Sequence, residues 1–483
     1  MHLPMPANVL VCSRRARDRA PPRAHPTLTM AFVLGAALGP RSTRVEVRDA
    51  RTGHLHATGV ARHGERGRSS DDPARWWRSL VTAVGQTGER EIAAISVSGG
   101  HPGLVVLDGA GAVLRPPEPW PDAPTDTAAT RLGWLRRTDP AVFDRLGMAL
   151  LPHDWLTHRL TGRAVTDRGS ASLTAAWSPT SEDWRGDVLR DLAPRGARDW
   201  WRDRLPTVLG PSERADWLDA PIYDLLGLRG RPIVGPGTGQ DMACALALGL
   251  RPGRVGVAIA EVTTALAPMG EPASGRGRAV QSRADATGRH LAVAPAGDGM
   301  DLIDTLCALL EIGARELDDL AATADLPGDL VVVPEAASGA GTVVAGLTSA
   351  ATRQDLAAAA IDGIACAALD RLDSALAVGG TWDDEEPLRL GAPREHVGLL
   401  AQVLADLSAR PVRHTAESSL AAAGACLQAA AVLVGGAPDD IAETWHLGSD
   451  SWVGPRDDVN RAARREAHAE ARARLQTRSP TVD

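Results

Sequence analysis

Residues 32–48 read FVLGAALGPRSTRVEVR, two apolar runs separated by a turn that carries Gly39 and Pro40. Apolar runs of this length on either side of Gly and Pro predict a β-hairpin. Gly35 and Gly39 remove Cβ atoms from the backbone near its tip, so successive turn N–H groups can form a nest for an anion. A phosphate held there together with Mg²⁺ calls for a nearby carboxylate to order the water around the metal. The turn offers Ala36, Ala37 and Pro40 instead. The hairpin thus points to phosphoryl chemistry at a site altered where the metal belongs.

The pattern recurs downstream. RPIVGPGTGQDMACALALGLRPG at 231–253 reads as strand, glycine loop and helix, and RVGVAIAEVTTALAPMG at 254–270 as two strands around a turn. A strand–turn–strand at the head of each half predicts two related lobes around a cleft. Between the hairpins, DDPARWWRSLVTAVG from 71 opens a helix behind acidic residues and Pro73, and IAAISVSGG at 92–100 and LVVLDG at 104–109 read as buried strands. LPHDWLTHRLTG at 151–162 places Leu151, Trp155, Leu156 and Leu160 on one helical face and stops at Gly162. Helices are expected over 301–323, 353–378 and 395–409, and over 461–476, whose Arg, Glu and Ala residues read as a solvated face.

A chain of 483 residues is long enough for two or three domains. Lys is absent, so every residue in the Lys+Arg total of 52 is Arg. That excludes a Walker-A lysine, a pyridoxal Schiff base and a protein-kinase strand lysine. The formal net charge of −8 is made of interspersed charges, which argues for small ligands and against nucleic acid. Five widely spaced cysteines without a CxxC pair suit reduced thiols and a cytoplasmic setting. No apolar stretch reaches the roughly 18 residues of a membrane span. His54, His56 and His63 lack metal-ligand companions and read as scattered surface histidines. There is no G-x-S-x-G elbow, and the glycines of GPGTGQ do not follow dinucleotide-binding spacing. Residues 1–29, rich in Arg and Pro, are expected to be disordered or a start-site extension before Met30.

From Phe32 to Leu475 these pieces resemble the FGGY family of carbohydrate kinases, and within it the xylulokinase branch. The most specific stretch is GLTSAATRQDLAAAAID at 346–362, supported by DDPARWW at 71–77, LLPHDWLTHRLTG followed by TDRGSAS at 166–172, and the Gln240–Asp241 pair. The resemblance implies an α/β fold of two actin-like, ribonuclease-H-like lobes around a central cleft. Residues 30–250 would form the sugar-side lobe, 251–476 the nucleotide-side lobe and 477–483 a tail. It further implies ATP with Mg²⁺, and phosphorylation of a ketose or polyol such as xylulose. Asp241 matches the catalytic aspartate that accepts the hydroxyl proton, a task suited to a carboxylate ionised at neutral pH. His101 and Pro102 fall in the sugar-binding turn, and Asp122 matches the carboxylate that holds sugar hydroxyls.

On the nucleotide side the Asp-Leu-Gly-Thr-Ser loop of the family aligns with Ala37–Leu38–Gly39–Pro40–Arg41, and its second turn with Ala260–Glu261–Val262 beside Thr263. The glycine cluster near adenosine is reduced to Gly391–Ala392–Pro393. A carboxylate at 261 facing a phosphate at ~4 Å costs about 4 kcal/mol at an effective dielectric near ~20. Glu261 is therefore either a repulsive group or the replacement metal carboxylate, and Arg41 a fork donor to phosphate or a solvated turn residue. Two functions remain open: a sugar kinase with weakened nucleotide use, and a non-catalytic sugar-binding or regulatory protein of the same fold.

Overall fold

The computed structural model describes residues 31–476 apart from 64–71, 101–102, 116–126, 195–198, 261, 274–279, 325–327, 335–340, 393–395, 416, 418, 448–450 and 458. The proposed extension 1–29 and the tail 477–483 lie outside the described residues. The hairpin is present: β1 (Phe32–Leu38) and β2 (Ser42–Asp49) run antiparallel from Phe32 opposite Asp49 to Leu38 opposite Thr43. β3 (Leu55–Arg62) continues antiparallel to β2, and β4 (Ile92–Gly99) lies parallel to β1. Ile233–Val234 adds in parallel to β4, with Asp216–Trp217 at the edge.

The second sheet repeats this order. Gly256–Ile259 and Val262–Met269 form the second hairpin, and His290–Asp298 is antiparallel to the latter. Leu388–Gly391 is parallel to the first strand of that hairpin, and Val412–Thr415 is parallel to Leu388–Gly391. Gln281–Ala284 and Ser451–Val453 extend the two edges. The same sequence of antiparallel and parallel pairings, built twice, realises the echo seen in the sequence.

The helix Pro73–Thr87 starts where Asp72 accepts the N–H of Ala74, and it turns Trp76, Leu80 and Ala83 onto the sheet. In the second half Arg353–Ala377 is opened by a reciprocal pair between Thr352 and Asp355, and buries Ala357 through Leu369 against Val262–Met269 and His290–Asp298. The expected helix over 301–323 is instead two, Met300–Leu310 and Ala314–Ala322, because Glu311 takes a left-handed conformation at φ 56°.

Helix Leu420–Val434 follows Val412–Thr415 of the second sheet in the chain but covers the first sheet. It packs on β1, β4 and the helix Gln240–Ala247, and is buried from Leu420 to Val432. Two glycines permit the approach: a Cβ on Gly35 would lie 2.2 Å from the Ala422 carbonyl oxygen, and one on Gly424 1.9 Å from that of Ala243. Its one long polar residue, Gln428, is fully buried and satisfied, donating to the Gly237 carbonyl at 3.0 Å and accepting from Ser96.

Residues 461–476 are helical, but the solvated reading is wrong for one face. Arg464, His468 and Ala471 are buried against the Arg353–Ala377 helix, with Arg464 paired to Asp362 and Arg465 and Arg472 to Asp370. An Arg/Glu/Ala composition hides such docking because arginine can bury its stem beside a carboxylate. Among the described residues no single helix is long and apolar enough to cross a membrane.

Candidate active site

The carboxyl ends of β1, β4 and the short strand Thr238–Gly239 meet at one point. Gly100 donates to the Leu38 carbonyl at 3.1 Å, and Gly239 pairs with Gly99. Gly239 caps the helix Gln240–Ala247, so Asp241 sits in its first turn. A carboxylate there is favoured by the unsatisfied N–H groups of the helix start. Gln240 reaches toward the bend, its Oε1 3.0 Å from where a Gly100 Cβ would lie.

Asp241 is partly exposed and is bonded at 2.6 Å by Arg283 Nη1, from the edge strand of the second sheet. Arg283 is buried, and its Nε also donates to Gln281 at 3.1 Å. Burial lowers the Arg283 pKa, and Asp241 opposes that shift. The guanidinium bonds one carboxylate oxygen of Asp241, Oδ2.

Behind this point lies a buried ionic cluster. Pro152 starts the helix Pro152–Thr161, in which Asp154 accepts the Leu151 N–H at 3.1 Å. His153 Nε2 lies 3.0 Å from Asp154 and 3.4 Å from Asp167. Asp167 also accepts from the N–H groups of Gly169 and Ser170 and from Thr238 Oγ1 at 3.1 Å. Burial alone would depress the His153 pKa, but Asp154 and then Asp167 outweigh it and raise it to about 10. Asp167 is held below the ordinary carboxylate value, burial being outweighed by His153, Ser170 and Thr238. The cluster thus braces Thr238, three residues before Asp241.

Gly39 is at the tip of the first hairpin, its N–H on the Ser42 carbonyl at 2.9 Å. Arg41 reaches across to Asp301 in the first turn of Met300–Leu310. Thr263 stands in the second hairpin, buried, its Oγ1 without a hydrogen-bond partner among the described residues. Gly391 and Ala392 are buried at the end of their strand, where Leu420 occupies the space a Gly391 Cβ would take. His101, Pro102, Asp122 and Glu261 lie outside the described residues. His63 is buried beneath the first tip, not on the surface, and burial lowers its pKa.

Ala37 is a buried methyl in an apolar cluster with Met242 and Leu420, and cannot order a cation. Near the second tip stand Asp298, which accepts from Thr342 at 3.2 Å, and Asp301. Burial, then the charge of Asp301, raises the Asp298 pKa. Among the described residues no three His, Cys, Asp or Glu side chains group around a metal. Mg²⁺ bound with a nucleotide needs only one or two carboxylates, since waters and phosphates complete its shell, so the donors here fit it.

Arg283, the His153 cluster, Asp298 and Asp301 were not found from the sequence. TDRGSAS marked the place of Asp167 without its role, and a lone arginine in QSRAD carries no spacing signal.

Two hairpin-headed sheets and an aspartate in the first turn of a helix make a protein of mixed α/β architecture. Residues 123–247 match the N-terminal domain of the FGGY family of carbohydrate kinases. A xylulose kinase of Streptomyces coelicolor is 32% identical over 454 residues, covering 86% of this chain and 91% of its own length. That of Streptomyces rubiginosus is 32% identical over 448 residues, with coverages of 86% and 90%. The solved xylulose kinase of Bifidobacterium adolescentis superposes with a TM-score of 0.72 at 26% identity, covering 92% of this chain and 99% of its own. The chain belongs to the FGGY family of carbohydrate kinases.

Proposed function

We propose that the protein transfers the γ-phosphoryl group of ATP to a hydroxyl of a ketose or polyol such as xylulose, with Asp241 as the proton acceptor. The observation that carries this reading is Asp241 itself: partly exposed, at a helix start, beside the Gly99–Gly100 bend and the first hairpin tip. The similarity to xylulose kinases over most of the chain supports the choice of sugar.

We infer two actin-like lobes, 30–250 and 251–476, from the sheet order repeated in each half. The cleft between them takes the substrates. His101, Pro102 and Asp122 are assigned to the sugar. Gly39, Arg41, Thr263, Gly391 and Ala392 are assigned to the nucleotide, and Glu261 is a candidate for the metal. Arg41 is the side chain best suited to a phosphate, since its planar fork matches phosphate oxygens.

A second reading, a sugar-binding protein without turnover, is favoured by Ala37 and by the arginine already seated on Asp241. A coupled assay of ADP formation with a panel of ketoses, polyols and sugar acids separates the two. Sugar-dependent turnover that Asp241→Asn abolishes supports the kinase. Saturable sugar binding with no turnover at any Mg²⁺ concentration supports the second reading.

A further inference from the structure

The proposal that follows rests on the nucleotide reading above. We propose that Asp301 and Asp298 are the metal-organising carboxylates of this chain. When a nucleoside polyphosphate enters, the Arg41–Asp301 ion pair is exchanged for two others, phosphate on Arg41 and Mg²⁺ on Asp301.

The pair links positions 260 residues apart, from the tip of the first hairpin to the first turn of the helix that follows His290–Asp298. Both partners are partly exposed, which leaves the pair open to exchange. Asp298 ends its strand opposite Val262, immediately after the second turn. Gly299 lies between the two aspartates, and Met300 donates to the carbonyl of Ala260 at 2.8 Å, which holds the start of the helix against that turn. Thr263 Oγ1 points into the same place, 2.8 Å from where a Gly299 Cβ would sit, fully buried and without a partner among the described residues.

Two carboxylates and an unused hydroxyl are what a hydrated Mg²⁺ needs on its protein side, the phosphates supplying the rest. Ala37, a buried methyl, supplies nothing. Arg41 and Asp301 neutralise one another as an ion pair. A polyphosphate without metal would meet Arg41 but also two carboxylates, and like charges repel. With Mg²⁺ between them, each charge has an opposite neighbour, and no covalent step is involved.

The test is calorimetric binding of ADP to the full chain in Mg²⁺ and in EDTA, with Mn²⁺ binding in the presence of ADP followed by electron paramagnetic resonance. Mg²⁺ should tighten ADP on the unmodified chain by about tenfold or more, a difference of ~1.4 kcal/mol. In Asp301→Asn that ratio should collapse toward one, because binding in EDTA strengthens while binding in Mg²⁺ weakens, and the Mn²⁺ signal of the bound complex should be lost. Asp298→Asn should lower the ratio in the same direction, and tests the proposal independently should Asp301→Asn fail to fold. Arg41→Gln should weaken ADP in both conditions. A ratio unchanged in both Asn variants overturns the proposal and leaves the nucleotide reading standing. Failure of the unmodified chain to bind ADP in either condition overturns both.

Discussion

Arg283 Nη1 lies 2.6 Å from Asp241 Oδ2, joining the edge strand of the second sheet to the helix start that carries the proposed base. The contact serves two purposes at once. It fixes the direction of the second carboxylate oxygen, and it neutralises a buried guanidinium. Sugar binding must therefore coexist with this pair, since breaking it would strand a charge in the protein interior.

Asp241→Asn should consequently have two effects. Turnover should fall by at least ~100-fold, the usual scale of general-base loss. Stability should fall by about 1–3 kcal/mol, because Arg283 loses its charged partner. Adding Arg283→Gln should return part of the stability and none of the turnover, as read by denaturant unfolding alongside the coupled assay.

The His153 cluster makes stability depend on pH in a stated direction. The folded-state pKa of about 10 lies above the ordinary 6.5, so the contribution of His153 is complete below about 6.5 and disappears as pH rises through about 10. Asp167, held low, contributes above the ordinary 3.8 and loses its contribution as pH falls through its folded value. His153→Gln should cost about 3 kcal/mol at neutral pH and flatten the alkaline limb of the stability curve. Urea melts at a series of pH values measure both.

If Asp301 orders the metal, a carboxylate introduced at position 37 should replace it. Ala37→Asp alone places a charge in an apolar cluster and should lower the melting temperature of the empty protein, at a cost of about 1–3 kcal/mol. In an Asp301→Asn background it should restore Mg²⁺-dependent tightening of ADP. Thermal shifts with ADP, with and without Mg²⁺, check this; no restoration would place the metal elsewhere.

Docking of the last helix should be visible at low pH. Asp370, beside His468, Arg465 and Arg472, has its pKa lowered to about 2 although burial pushes the other way. Its contribution is present above the ordinary 3.8 and is lost as pH falls through about 2. Asp370→Asn should remove that part of the acid limb. Arg464→Met leaves Asp362 buried and unpaired and should cost about 3 kcal/mol at pH 7 by chemical denaturation.

Strands, hairpins and the helix that carries Asp241 were readable from the sequence because each depends on local signals: Gly and Pro at turns, Asp72 at a helix start, apolar spacing in 151–162, an Ala-rich run in 353–378. The repeated hairpin even announced the repeated sheet. What escaped depends on pairing across distance. Arg283 meets Asp241 only because an edge strand of the second sheet crosses to the first, and Arg41 meets Asp301 across 260 positions. Arginine is common throughout this lysine-free chain, so nothing in the local sequence singles out these two. The break at Glu311 was missed because left-handed backbone at a non-glycine residue carries no compositional mark.

Helix Leu420–Val434 also has a consequence for how the chain is made. One face of β1 and β4 is covered by residues synthesised more than three hundred positions later, through contacts so close that Gly35 admits no side chain. As it leaves the ribosome, the first half carries its central strands with an apolar surface uncovered until nearly the whole chain has emerged. Its folding is therefore completed from the other end, and a fragment that stops at residue 250 would lack the helix that closes its own core.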